Sequence, residues 1–554
     1  MPFTQPPPQL GNQYDHDRVL RSYLKRVLPP DVLKEVEPPL HELGALAGGE
    51  LYRMQLDDRR SEPRLTRWNA WGERIDRIEL TPLWRAAERI AAERGVVAAA
   101  YDTAFGADAR IYQFALAYLF APATDLYACP LAMTDGAARA LVASGNQELI
   151  ARALPRLTTR DPARFWVSGQ WMTEAIGGSD VGLAQTIARR EGNLWRLYGN
   201  KWFVSAAHSQ MALTLARPEG NPSGGKGLAL FYVETRAPDG HPNGIRIEQL
   251  KDKLGTRKVP TAEIVLDGAQ AELVCGTTDG IRNMMPALTV ARIWNSVTAA
   301  ALMRRGIALA RDYATRRVAF GGPLAEKPLH LDTLADLQAQ FEAAFHLALF
   351  VVELLGRAED MRASEQQIAL LRVLVPVAKL TTARQAVCVL GEIVETFGGA
   401  GYVEDTGLPA LLRDAHVLPI WEGTTNVLSL DVVRELASNS VMETVAREAR
   451  FIMQGVREPS LLQLSASVER TLERAGAWLH GANGEEAEAG ARRCALTVGR
   501  TLQLTLLLRQ AQWSLTFEQD RRPLAAARRY AAAGINALRE VNPADARALA
   551  RDEW

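Results

Sequence analysis

Cysteine is scarce in this chain: Cys129, Cys275, Cys388 and Cys494 are the only four in 554 residues. They stand far apart and form no CxxC pair. That spacing argues against a zinc site and a disulfide framework, and fits a reducing compartment. The eight histidines are scattered, with no pair at helical ligand spacing, so a metal enzyme is not indicated. Excess charge is missing too. Lys+Arg and Asp+Glu both total 64, so the chain as a whole has no electrostatic reason to seek nucleic acid or a membrane surface. The N-terminus "MPFTQPPPQLGNQYDHDRVL" lacks the basic and apolar regions of a signal peptide and the arginine-rich character of a transit peptide. No apolar run reads as long enough to span a bilayer. The expectation is a soluble, cytoplasmic protein with no membrane partner. No GxGxxG and no P-loop occurs, so neither dinucleotide nor Walker chemistry is indicated.

What is present is a change of texture along the chain. Residues 1–13 form a proline-rich arm, and the rest of 1–165 reads as mostly helical; in "TPLWRAAERIAAERGVVAAAYD", Thr81 is an N-cap and Pro82 takes the first helical position. Over 166–285 glycines multiply and short strand-like runs appear: "LWRLYGNKWFVS", "MALTLAR", "LALFYVE", "IRIEQL", "TAEIVLDGA". This predicts a small antiparallel β domain of roughly seven strands. Long alanine- and leucine-rich helices return over 286–440, and a further helical extension follows at 441–554. The fold class is α+β.

Several stretches could carry chemistry. In "WMTEAIGGSDVG", Thr173 offers a hydroxyl and Gly177-Gly178-Ser179 lets backbone approach a ligand, although a tight turn with an Asx cap at Asp180 reads equally well. In "GNKWFVSAAHS", strand alternation puts Trp202 with Val204 on one face and Phe203 with Ser205 on the other. Phe203 is then core or an aromatic wall against a flat ring. Arg316 and Arg317 in "RRVAFGGPLAEKP" suit a helix C-terminus, with a phosphate clamp as the minority reading. Gly398-Gly399 breaks a helix. In "IWEGTTN" (420–426), Glu422 is either a first-turn acid or a base, and Thr424, Thr425 and Asn426 are capping residue types that could equally bind phosphate at a helix N-terminus.

The order of these pieces is more specific than any one of them. "MTEAIGGSD", "KWFVS", "LGTR", "RRVAFGGPL", "FGGAGY", "RDA" and "IWEGTTN", behind a helical front segment, resemble the acyl-CoA dehydrogenase family over about residues 80–440. "RIDRIELTPLW", "CPLAMT", "KDKLG", the tryptophan before the glutamate and the helical extension resemble its long, AidB-like branch. The resemblance implies an N-terminal helical domain, a β-barrel or sandwich, a helical bundle, an extra helical extension, and FAD bound at a domain junction and a subunit interface of a homotetramer (a dimer of dimers).

Residue by residue, the resemblance puts Met172 and Thr173 at the flavin's pyrimidine edge, and Gly178 and Ser179 by the pyrophosphate and substrate. Phe203 stands for the family's tryptophan beside the isoalloxazine, and Ser205 for its threonine. Arg317 reaches the FAD pyrophosphate of a neighbouring subunit, Phe320 packs near the adenine, and Gly398 and Gly399 admit the cofactor from the partner. Thr424 and Asn426 hydrogen-bond FAD. Glu395 stands where many members have glutamine. Glu422 matches the catalytic base, which takes the α-proton of an acyl-CoA thioester while hydride leaves the β-carbon for flavin N5. An alternative base position in some relatives is Ala291 here, which cannot accept a proton; Arg292 beside it is a substrate-side or ion-paired charge. The implied electron acceptor is an electron-transfer flavoprotein, with oxygen as the other. The runner-up function is a DNA-binding flavoprotein responding to alkylation damage. Its basic patch would be "RRPLAAARRY" (521–530), in an extension with 16 arginines, no lysine and 14 acidic residues. A solvated helix face is the preferred reading of that cluster.

Overall fold

The computed structural model describes residues 5–192, 194–437 and 440–553. The first four residues of the proline-rich arm lie outside this set. The chain divides into two compact units.

One unit, residues 39–104 and 112–294, contains the β domain. Its strands are β1 (Ser168–Trp171), β2 (Ile187–Glu191), β3 (Leu194–Val204), β4 (Met211–Pro218), β5 (Ala229–Glu234), β6 (Ile245–Leu250) and β7 (Ala262–Leu273). The sheet order is β1-β4-β2-β3-β7-β5, β6 pairs β7, and an additional β4–β5 pairing closes the sheet on itself. The result is a small barrel, as the family resemblance implies. Most pairings are antiparallel, but β1 and β2 both pair β4 in parallel. Alternation along β7 buries Ile264, Leu266, Ala269 and Ala271, which join Leu197, Phe231 and Val233 in one core. A short hairpin, Arg64–Trp68 with Arg74–Glu79, interrupts the front segment that the sequence reads as mostly helical. It docks on β6 through Asp76, whose carboxylate accepts from the Ile247 amide at 2.9 Å, and Arg74, which donates to the Ile247 carbonyl at 2.8 Å.

The other unit, residues 1–38, 105–111 and 295–554, is helical. Its centre is the antiparallel pair Pro328–Glu359 and Glu365–Thr396. Ser364 starts the second of these with a full capping box to Gln367. Here the sequence expectation about membrane spans needs correcting. Both helices are long and apolar enough to cross a bilayer, yet 94% and 78% of their most apolar windows are buried inside the protein. A helix that is apolar all round needs cover, and here neighbouring helices supply it. Truncating a buried leucine of this pair, such as Leu347 or Leu374, would cost about 2–5 kcal/mol.

Candidate active site

In the β-containing unit, the loop after β1 and the end of β3 come together. The Trp202 amide donates to the Thr173 carbonyl at 3.0 Å. Gly178 lies so close to Thr173 that an added Cβ would stand 2.6 Å from its Oγ1. A buried ion pair beneath fixes this loop. Lys201 Nζ reaches Glu174 Oε1 at 2.8 Å, and Glu174 also accepts from the Thr186 hydroxyl at 2.5 Å and the Gln185 amide at 2.6 Å. Burial alone would raise the Glu174 carboxyl, but Lys201 and these donors hold it below the usual carboxylate range. Neither Glu174 nor Lys201 stands out in sequence, because each is an ordinary charge until the barrel buries it. Asp180 does form the Asx cap, accepting from the Gly182 amide at 3.2 Å.

The alternation expected around Phe203 does not hold. The β3–β7 register slips between Lys201 and Val204, so both of those point inward while Trp202 and Phe203 bulge outward together. Lys251 Nζ sits 3.7 Å from the Trp202 ring centroid and 4.8 Å from that of Phe203. Phe203 is 55% exposed, so the core-packing reading is set aside and a flat face is left open. Ser205 Oγ is 3.3 Å from Thr261 Oγ1. Ser179 is exposed, and Arg292 is half-buried in the helix Gly280–Arg316 beside buried Ala291.

In the helical unit, "IWEGTTN" leads into a helix. Thr424 caps the helix Thr425–Ala437, its carbonyl accepting from Leu428 at 3.0 Å and its Oγ1 from Val427 at 3.4 Å. Glu422 therefore precedes the cap and lies outside the helix's first turn. It is half-buried, with φ +57°, a left-handed conformation that costs a non-glycine residue about 1–2 kcal/mol. Two clamps hold it there. Trp421 Nε1 donates to Asn295 Oδ1, and the buried Lys379 ammonium donates to the Gly423 carbonyl at 2.6 Å. Asn426 is exposed and accepts from Arg492 of the C-terminal extension at 3.4 Å, a contact no local motif announces.

Arg317 follows the end of the helix Gly280–Arg316. After it, Val318–Ala319 and Gly322–Pro323 form a tight hairpin whose two turn residues, Phe320 and Gly321, have φ +51° and +80°. The Phe320 ring is 95% exposed. Gly398 and Gly399 open a short helical turn and are exposed, as is Glu395. Gly401, absent from the expected set, is the glycine that packing demands, since a Cβ there would meet the Val394 carbonyl at 1.9 Å.

The arginine cluster 521–530 departs from a purely solvated face. Arg522 pairs with Glu342, Arg528 donates to Ser460, and Arg529 bridges Asp332 and Asp336 at 2.5 and 2.7 Å. These side chains fasten their helix to Pro328–Glu359 and to the extension. All four cysteines are free thiols.

Comparison with known proteins adds three domain matches. Residues 4–162 match the "Adaptive response protein AidB N-terminal domain", 169–269 the "Acyl-CoA dehydrogenase, middle domain", and 278–437 the "Acyl-CoA dehydrogenase, C-terminal domain". The chain is 43% identical over 442 residues to acyl-CoA dehydrogenase family member 11 of Caenorhabditis elegans, covering 78% of this chain and 72% of that one. It is 32% identical over 402 residues to the putative acyl-CoA dehydrogenase AidB of Escherichia coli, covering 71% and 72%. The crystal structure of Caenorhabditis elegans ACDH-11 in complex with C11-CoA superposes with a TM-score of 0.93 at 37% identity, over 97% of this chain and 94% of that one.

Proposed function

We infer the activity from one premise: this chain belongs to the acyl-CoA dehydrogenase family, a family of oxidoreductases. The reading it supports is FAD-dependent α,β-dehydrogenation of an acyl-CoA thioester, with Glu422 as the base. The observation that carries it is the backbone of Glu422, a non-glycine residue kept left-handed between an anchored tryptophan and a carbonyl clamped by a buried lysine. Strain of this kind persists only where its surroundings over-determine it, and it holds a carboxylate in one place.

The residues of the β-containing unit suit a flavin. The outward face of Phe203, the polar edge of Thr173 and the cradle at Gly178, which any side chain would fill, together accept a flat ring with a hydrogen-bonding rim. FAD bound there would supply the acceptor for the hydride of the β-carbon. Glu422 takes the α-proton, and Trp421, fixed by Asn295, limits water beside the carboxylate. The Glu422 amide and the flavin's ribityl chain would hydrogen-bond the thioester oxygen as charge builds on it. Thr424 and Asn426 would hold the cofactor's far half. Phe320, Gly398 and Gly399, exposed in a single chain, suit contact with a second subunit of a homotetramer and its FAD, with Arg317 on the pyrophosphate. An electron-transfer flavoprotein is the proposed acceptor.

The test is anaerobic mixing of the purified yellow protein with acyl-CoAs of graded length, beginning with C11-CoA, the ligand of the related nematode structure. Bleaching of the flavin by one chain-length class supports the reading. An unbleached flavin across the panel overturns it.

A further inference from the structure

A cavity of about 180 Å³ opens among the helix Arg18–Val27, the middle of Pro328–Glu359, the end of Gly484–Phe517 and the turn into Arg522–Ala532. None of the candidate catalytic, flavin-binding or substrate-side residues above lines it. Of its walls, only Pro328–Glu359 belongs to the dehydrogenase C-terminal domain; the others come from the front segment and the extension.

Much of its charge is internally matched. Arg18 pairs with Asp520 at 2.9 Å, and Arg522 with Glu342. Glu518 accepts from the hydroxyls of Ser22 at 2.6 Å and Ser514 at 3.0 Å. Three groups are left over. Arg21 donates one guanidinium N–H to the Asp15 carbonyl at 3.2 Å, while its Nε is buried with no acceptor. Lys25 stands exposed at the rim, outside ion-pair distance of any described carboxylate. His346, 2% exposed, has no partner at either ring nitrogen. Burial, and then the positive charges of Arg26, Arg509 and Arg522, hold His346 well below the usual imidazole range. It is therefore neutral, with one N–H donor and one lone pair to satisfy.

Buried polar atoms are nearly always paired, so two unpaired groups on different helices around one cavity call for an occupant. The lining carries four cations against three carboxylates, which favours an anion. The space equals that of about six waters. It falls below the roughly 300–1,000 Å³ of sites for drug-sized ligands, which favours a ligand smaller than a nucleotide or an acyl-CoA.

We propose that this cavity binds a small organic anion, whose carboxylate or phosphate group meets Arg21 and Lys25 and whose second polar group bonds His346. Such a ligand would join the two ends of the chain to the central bundle and stabilise the native state by mass action.

Calorimetric titration of the full-length protein with succinate, inorganic phosphate and uncharged succinamide tests this. At least one of the two anions binds the wild type and succinamide does not; Arg21→Gln and Lys25→Gln each weaken that anion about tenfold or more. His346→Phe, which keeps a ring and removes both nitrogens, weakens succinate more than phosphate. A preference between the anions identifies the head group. No binding of either anion, which would leave hydration only, overturns the proposal. So does equal binding of succinamide, or unchanged affinity in both cation variants. Lys25→Gln alters an exposed rim side chain, so the test stands even where a buried variant fails to fold.

Discussion

Among the loops of the helical unit that hold a large non-glycine residue in the left-handed region, those at Glu422 and Phe320 are held in opposite ways. Glu422 is fixed from within: Trp421 is tied to Asn295, Lys379 grips the next carbonyl, and a capped helix begins three residues on. Phe320 sits at the tip of a two-residue hairpin, where Lys327 donates to its carbonyl at 2.8 Å and its ring meets solvent. The first arrangement is complete in one chain, as suits a group that must keep its position through a proton transfer. The second presents an aromatic ring outward at a conformational cost and suits contact with something beyond the chain. The same backbone strain thus marks two kinds of site, and burial of the side chain tells them apart.

The largest effect that would break this comparison is on chemistry. Glu422→Gln keeps shape and removes the proposed base, so anaerobic flavin reduction should slow by about 10²–10⁴-fold while bound FAD is retained. Next is the inner clamp. Lys379→Met leaves the Gly423 carbonyl without its charged donor and should destabilise the protein by about 1–3 kcal/mol in denaturant titrations. Smaller, and opposite in sign, is relief of strain. Glu422→Gly should raise Tm, by about 1 kcal/mol of added stability, while abolishing turnover. Phe320→Ala should change the stability of a single chain by less than about 0.5 kcal/mol yet lower FAD retention and the fraction of the proposed tetramer in size-exclusion chromatography. An unchanged assembly would remove the outward role of Phe320.

A third loop extends the test to anchoring from within. Glu174 fixes residues 172–179 and is held below its ordinary range, despite burial, by Lys201 and neighbouring donors. A carboxyl lowered on folding stabilises fully above its unfolded pKa, and that stability is lost as pH falls through the folded value. Tm should therefore drop on acidification through and below the ordinary carboxylate range, and the drop should be smaller in Glu174→Gln.

Motif order made the family and the barrel legible in the sequence, and capping chemistry narrowed the cap to Thr424, Thr425 or Asn426. The unread features share one cause: partners distant in the chain. Lys201 and Glu174 become a buried pair only once β3 lies over the 172–179 loop. The outward turn of Trp202 and Phe203 comes from a register slip against β7, which period-two alternation cannot show. The membrane-like hydropathy of Pro328–Glu359 and Glu365–Thr396 reflects cover by other helices. Arg522 and Arg529 read as a solvated helix face, with a basic patch as the alternative, until Glu342, Asp332 and Asp336 appear beside them.

The most direct test of the central claim is rapid anaerobic mixing of wild type and Glu422→Gln, both loaded with FAD, with the acyl-CoA that the panel selects. The account predicts fast bleaching of the wild-type flavin and a near-static spectrum in the variant at equal ligand occupancy. Equal bleaching rates would contradict it and remove Glu422 from the chemistry.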